Sequence, residues 1–291
     1  MISMFFITSQ IKAVATIHHI PLASLSLVST FIALLITIRS NQSLGRLAEA
    51  RELWGRLFIT TRDTAQMLVT YVYPKDKKLG LKAARHLSLM AWLLKDRLRD
   101  TNRKDIIEAM LSGESEVDVI YLTSQRKKPA AAIARIRQVV ADLAARNVLP
   151  YAPHQQLEQN LNEMNYILGM CERLRGSPIP PVYTTHTSRL LAFYLIFLPL
   201  ALHGSQMTKL VSILVTTTVS YAMLGLDEIS HILEQPFGLM PLHQLSRNIM
   251  SDIADAFVCR PPSFMTSEVK IKDENSDYRL NDSEMPPPSY W

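Results

Sequence analysis

The sequence predicts an all-α membrane protein, and three observations lead there. A charge-free run, "LASLSLVSTFIALLITI" (Leu22 to Ile38), passes with no turn signal into the arginine-rich segment "RSNQSLGRLAEARELWGRLFITTRD" (Arg39 to Asp63). A second apolar region, Leu190 to Leu226, carries Lys209 as its only charge and is interrupted once, by the polar stretch His203 to Thr208. No strand-type alternation competes elsewhere, and the remaining segments place apolar residues at helical spacing.

Taking the elements in order, Leu22 to Ile38 supplies 17 uncharged residues, the lower limit for crossing a bilayer. The second region reads as a helical hairpin, "LLAFYLIFLPLALHG" out and "KLVSILVTTTVSYAMLGL" back. Pro199 in its first arm is tolerable because neighbouring helices can satisfy the freed carbonyl. The expected spans are therefore about 22–38, 189–203 and 209–226. Arg39, Arg46, Arg51 and Arg56 follow the first span, and Arg173, Arg175 and Arg189 precede the hairpin. The positive-inside rule puts residues 39–188 on the cytosolic side or its organellar equivalent. One span ahead of residue 39 leaves an odd count, which points to a further helix upstream or a partner for "MISMFFITSQIKAVATI".

Between the spans, Lys77 to Arg99 sets Leu81, Ala84, Leu87, Met90, Leu94 and Leu98 near one helical face. Residues 125–146 form a second helix with a proline in its first turn. Pro153 opens a third, from about His154 to Leu174. From Arg260 onward Pro, Ser, Asp, Glu and Asn dominate, and residues 259–291 are expected to be a disordered tail.

The composition excludes several functions. Two cysteines, Cys171 and Cys259, make neither a disulfide framework nor a zinc site. The nine glycines form no GxGxxG or P-loop pattern. The 31 basic against 26 acidic residues give a net charge of +5, which does not choose among anionic partners. Glu49, Glu52 and Asp63 interleave with the arginines of Arg39 to Arg62, so salt bridges within the helix are expected rather than nucleic-acid binding. Trp54 is expected to pack. Glu228 and His231 form a single Glu-x-x-His, with Asp227 and Glu234 nearby, and a di-iron bundle needs two such motifs. His18-His19 and His243 lack ligand-spaced partners and are expected to be solvated or at an interface. No metal, cofactor or enzymatic centre is expected.

Three motifs in register then carry a family resemblance. "RSNQSLGRLAEARELWG" is similar to the bestrophin pattern R-x-N-x-x-x-x-R-x-x-E-A-R-x-x-W-G, with Arg46, Glu49, Arg51 and Trp54 at matching positions. "LNEMNYILGMCERLRGSPIPPVY" resembles the family's helix and proline-rich approach to the next span, and supplies Asn162, Glu163, Pro178 and Pro180. "LGLDEISHILEQPFG" resembles its Pro-Phe-Gly segment, with Glu228, Pro236 and Phe237. Together they cover about residues 20–258.

The resemblance implies one channel domain over residues 1–258: transmembrane helices continuing into a cytosolic helical bundle, five copies around a central anion pore, no covalent chemistry. Chloride and bicarbonate are the implied permeant ions, and membrane lipids the implied surroundings. By position the neck side chains would be Thr30, Leu34 and Ile38, at i, i+4 and i+8 on one helix face. On periodicity alone, Leu27, Phe31 and Leu35 form an equal alternative. A second constriction would fall at Gln155, where a polar residue replaces an aliphatic one. The "GLMPLHQL" segment has no carboxylate between Gly238 and Leu245, so the calcium clasp of animal members is not expected. That absence and the "SPIPPVYTTHTSRLL" segment resemble the plastid and algal branch, which implies a thylakoid membrane, with a plasma or other cellular membrane as the alternative. The first residues show no Ser/Arg-rich transit signal. The rival reading is a non-conducting membrane scaffold whose "PPSY" (Pro287, Pro288 and Tyr290) recruits a WW-domain protein. A membrane di-iron enzyme stands third.

Overall fold

The computed structural model describes residues 22–113, 116–203 and 208–259. The amino-terminal segment with His18-His19, the hairpin turn at 204–207 and the tail with Pro287, Pro288 and Tyr290 lie outside the described residues. Among the described residues the chain is helical throughout with no strand. These residues group into two compact units, residues 22–49 with Ser177–Leu239, and Ala50–Gly176 with residues 240–259.

Helix α1, Leu22–Met67, runs 46 residues without a break, about 69 Å at 1.5 Å per residue. No proline occurs in it, and its two glycines, Gly45 and Gly55, meet nothing within 4 Å, so nothing in the sequence stops it. Several of its hydroxyls are satisfied inside the helix: Ser26 donates to the Ala23 carbonyl at 2.7 Å and Thr37 to that of Ala33 at 2.8 Å. A short π-helical turn, Leu68–Val72, ends it just before Pro74, which cannot continue a hydrogen-bonded helix.

In the first unit, α7 (Pro181–His203) and α8 (Lys209–Leu233) form the two arms of the expected hairpin. Both arms extend beyond the expected spans, α7 by eight residues at its start and α8 by seven at its end. The apolar runs mark the lipid-compatible part, whereas backbone hydrogen bonding carries the helices on through polar residues. Pro199 sits inside α7 without ending it. Leu25, Ile32 and Ile36 of α1 are buried against Leu191, Tyr194, Leu198, Ala201 and Leu202 of α7, and the Tyr183 hydroxyl donates to the Leu35 carbonyl at 3.2 Å. Val215, Val219 and Met223 of α8 pack on the same cluster. Among the described residues, three helices are long and apolar enough to cross a membrane, those carrying Leu25–Val72, Pro181–Leu202 and Lys209–Leu233. Helix α9, Pro236–Leu239, is a single turn that buries Pro236 and Phe237.

The second unit is built around α2, Lys77–Leu98, whose residues from Ala83 to Asp96 are almost all buried. Asp76 caps it by accepting from the Leu79 backbone amide at 3.1 Å, supplying one of the partners a first turn lacks. Gly80 is favoured by proximity, since a Cβ there would lie 3.1 Å from the Tyr73 Cα and the neighbouring chain would have to give slightly. Helices α5 (Lys128–Ala145) and α10 (Leu242–Val258) flank α2, and α6 (Tyr151–Gly176) packs on α5. The shorter α3 (Lys104–Met110) and α4 (Glu116–Ser124) close one end. Asp100 and Asn147, at φ 54° each, stop α2 and α5 in the left-handed conformation, which Asp and Asn tolerate best after Gly. Helix α6 begins at Tyr151, three residues earlier than expected; Pro153 lies in its first turn, where its missing amide costs nothing.

One ionic triad and one ring contact tie this unit together. Asp118 of α4 is fully buried, with Lys82 of α2 at 2.6 Å and Arg135 of α5 in contact. Burial pushes its carboxyl upward, but the hydrogen bonds from Lys82 and Arg135 outweigh that and hold it below the usual range. His243 does not behave as a solvated histidine: it is half-buried, edge-on to Trp92 at 5.0 Å. Burial first, then the positive charges of Lys95, Arg247, Arg103 and Arg99, lower its pKa from 6.5. The correction is tertiary, because Trp92 and Lys95 come from another helix.

Two measurements check this picture. Asp118→Asn should cost about 2–3 kcal/mol in chemical denaturation, less than the ~3–5 kcal/mol of a fully enclosed pair because Lys82 and Arg135 stay partly exposed. An unchanged midpoint would count against the triad. For His243, the unfolded chain takes up a proton that the folded chain resists, so acidification between about pH 7 and pH 6 should lower stability. His243→Gln should flatten that slope whatever it does to the level, as read by melting temperature against pH.

Candidate pore helix and its bracing cluster

Directly after the apolar run, Arg39 is only 2% exposed. A guanidinium cannot be buried unpaired, and the hairpin provides two carboxylates. Its Nη1 donates to Asp227 Oδ1 at 2.6 Å and its Nε to Glu234 Oε1 at 3.0 Å. Nη2 lies 3.4 Å from His231 Nδ1. Ser188 of α7 donates to Asp227 Oδ2 at 3.1 Å, and the Ser40 and Ser230 hydroxyls share a hydrogen bond of 3.0 Å. One cluster therefore clamps α1, α7 and α8 together.

Asp227 and Glu234 are seven residues apart, so they fall within about 20° of one helix face. The sequence groups Asp227, His231 and Glu234 with Glu228 as neighbours but does not tie them to Arg39; the seven-residue spacing beside an arginine at the end of an apolar run is the signal that could. Glu228 is exposed and outside the cluster. For Arg39, Arg56 and Arg62 the expectation of salt bridges within the Arg39–Asp63 segment is corrected, because their pairs are long-range. Arg39 reaches α8, Arg56 pairs with Glu163, and Arg62 pairs with Asp252. A helix that passes through packed surroundings meets acids on other helices before it needs its own.

The clamp fixes the rotation of α1. Leu25, Ile32, Ile36 and Arg39 mark its packed face. At about 100° per residue, the direction of Thr30, Leu34 and Ile38 lies roughly 170° from it, and that of Leu27, Phe31 and Leu35 roughly 110°. Leu34 and Ile38 are 55% and 40% exposed and Thr30 is exposed; Leu27 and Phe31 are exposed as well, at 67% and 68%, while Leu35 is half-buried. The Thr30 hydroxyl donates to the Ser26 carbonyl at 3.0 Å, so its proton is already used within the helix.

The remaining motif residues are dispersed. Arg46 donates to the Ser177 carbonyl at 2.6 Å, next to exposed Pro178 and Pro180. In the other unit Trp54 is buried, Arg51 is exposed, and Asn162 accepts from Arg137 at 2.7 Å. Glu49 is half-buried. Gln155 is exposed and donates to the Tyr151 hydroxyl at 2.8 Å. Among the described residues no group of three or more His, Cys, Asp or Glu side chains could hold a metal ion.

Arg39→Ala would leave Asp227 and Glu234 without their cation, and should cost about 3 kcal/mol or more in thermal unfolding of the detergent-solubilised protein. Arg39→Lys should recover only part of that, since an ammonium lacks the planar fork that serves two carboxylates. Equal stability of all three proteins would dismiss the clamp.

Comparison with known proteins identifies the family and the fold. The family model described as bacterial/fungal bestrophin protein matches residues 1–255. The chain is similar to the voltage-dependent anion channel-forming protein YneE of Escherichia coli K12, at 30% identity over 239 residues covering 80% of this chain and 75% of that one. It is similar to voltage-dependent chloride channel 2, chloroplastic, of Arabidopsis thaliana, at 27% identity over 77% of this chain and 53% of that one. Its fold matches a crystal structure of a bacterial bestrophin homolog from Klebsiella pneumoniae with a TM-score of 0.76, at 26% identity over 82% of this chain and 88% of that one. The chain belongs to the bestrophin family.

Proposed function

We propose that the protein forms an anion channel, conducting chloride passively along a pore lined by the exposed face of α1. The observation that carries this reading is the opposition of two faces on one unbroken helix. Leu25, Ile32 and Ile36 are sealed against the hairpin, while Thr30, Leu34 and Ile38 point away from it and remain open. The relatives named for anion and chloride channels support the substrate class. Five copies around one axis would gather these side chains into three stacked rings. Such rings let anions pass because weakly hydrated ions lose little on entering, do not bind tightly, and leave quickly; a small widening of an aliphatic ring also switches it between dry and wet. Arg39 contributes no free charge to such a pore, because Asp227 and Glu234 both bond it.

Bicarbonate as a second permeant ion, Gln155 as a second constriction, and a single channel domain over residues 1–258 belong to the same proposal. So does a WW-domain partner for Pro287, Pro288 and Tyr290. Chloroplastic relatives support a thylakoid address and bacterial relatives a cell membrane, which fractionation of the source cells would separate.

Purified protein in liposomes should carry chloride flux, and native mass measurement should give five copies; absence of flux would sink the channel reading. Leu34→Ala should widen the middle ring and raise flux several-fold while weakening discrimination among anions. Thr30→Leu should act in the opposite direction. Unchanged currents in both would move the pore to another face of α1.

A further inference from the structure

The second unit contains a cavity of about 390 Å³ between the end of α2, the end of α4 and the start of α5. That volume lies within the roughly 300–1,000 Å³ usual for small-molecule sites. Four basic side chains line it, Arg97, Arg103, Arg126 and Lys128, against two acidic ones, Asp96 and Asp100. The acids are already engaged. Asp96 accepts from the Thr101 hydroxyl at 2.8 Å and pairs with Lys95 at 3.3 Å, while Asp100 is held by Arg175. Two of the bases are also engaged: Arg97 Nε meets Glu172 at 3.2 Å, and Lys128 donates to Asn102 at 2.6 Å. Among the described residues, Arg103 and Arg126 have neither a hydrogen bond nor an ion pair, and no acid occupies the first turn of α5 beside them.

We propose that this cavity binds a small soluble anion bearing phosphate groups, with Arg103 and Arg126 as its principal contacts. The reasoning is one of charge and shape. Every carboxylate at the cavity is spent on a cation, so the positive field of the two guanidiniums is left for a ligand. Guanidinium forks match the oxygens of phosphate in pairs. The space exceeds what one phosphate fills and suits a diphosphate or a larger organic phosphate. Polar groups on the same wall, Thr123 and Gln125 among them, can serve the rest of such a molecule. The site is formed wholly within one unit and involves none of the residues assigned to the pore.

The test uses the full chain in detergent, with inorganic pyrophosphate as probe and sodium chloride at matched ionic strength as control. The melting temperature should rise saturably with pyrophosphate and not with chloride. Arg103→Gln and Arg126→Gln should each weaken that half-saturation about tenfold, which corresponds to one charge-assisted contact of ~1.4 kcal/mol. Both residues are exposed, so the two variants should keep the ligand-free melting temperature. Arg146→Gln, which removes an equal charge at the far end of α5, should leave binding unchanged. Absence of a saturable shift in the unsubstituted protein would overturn the proposal. So would equal weakening by Arg146→Gln, which would mean diffuse charge rather than a site. A shift seen only when phosphatidic acid is added to the micelles would also overturn it, in favour of a lipid headgroup. The pore variants are not involved, so failure here and failure of conduction are separable.

Discussion

A buried guanidinium must find its counter-charge, and this requirement organises the membrane-type unit. Arg39 follows the last apolar residue of the first span, and the turn of the helix directs it inward rather than to solvent. It is stable there only because Asp227 and Glu234 meet it from the end of the hairpin. Once that clamp is closed, the rotation of α1 is set, and with it the identity of every side chain on the opposite face. The face of α1 turned away from the hairpin is thus set by an interaction on the opposite side of the helix.

The second unit solves a different problem with the same chemistry. Its central helix is enclosed on nearly all sides, so polar side chains carried inward must be paired. Asp118 meets Lys82 and Arg135, and Lys95 lies over the Trp92 ring at 4.5 Å and beside Asp96. Burial leads the causes that lower the Lys95 pKa, and Asp96 only partly offsets it. Glu172 shows the reverse balance: burial raises its pKa, yet Lys127 and Arg97 bring it below the usual range. Acids are consumed in this way around the core, and the unpaired guanidiniums of Arg103 and Arg126 are what remains at the cavity.

Much of the helical architecture was legible beforehand, because each signal is local. Charge-free runs, Pro129 in a first turn and the spacing of Leu87, Leu94 and Leu98 depend only on neighbours along the chain. What escaped was pairing across the fold. The arginines after Ile38 suggest bridges within their own helix, whereas Arg39, Arg56 and Arg62 pair with acids more than a hundred residues away. His243 gave no hint of Trp92, since nothing in its neighbourhood names the helix it packs on. The helices also outran their hydrophobic spans, since backbone hydrogen bonding continues where lipid-compatible composition ends.

By itself the sequence determined that the chain is helical, that three of its segments are apolar enough to span a membrane, and which family it joins. Those follow from residue type and spacing, which tertiary contacts do not alter. Only the tertiary structure decided which face of α1 is sealed, because Leu25, Ile32 and Ile36 differ from the other apolar positions of that helix solely in what packs against them. It also decided which charges are spent and which remain, because a carboxylate cancels the cation it touches, and touch is a property of the fold.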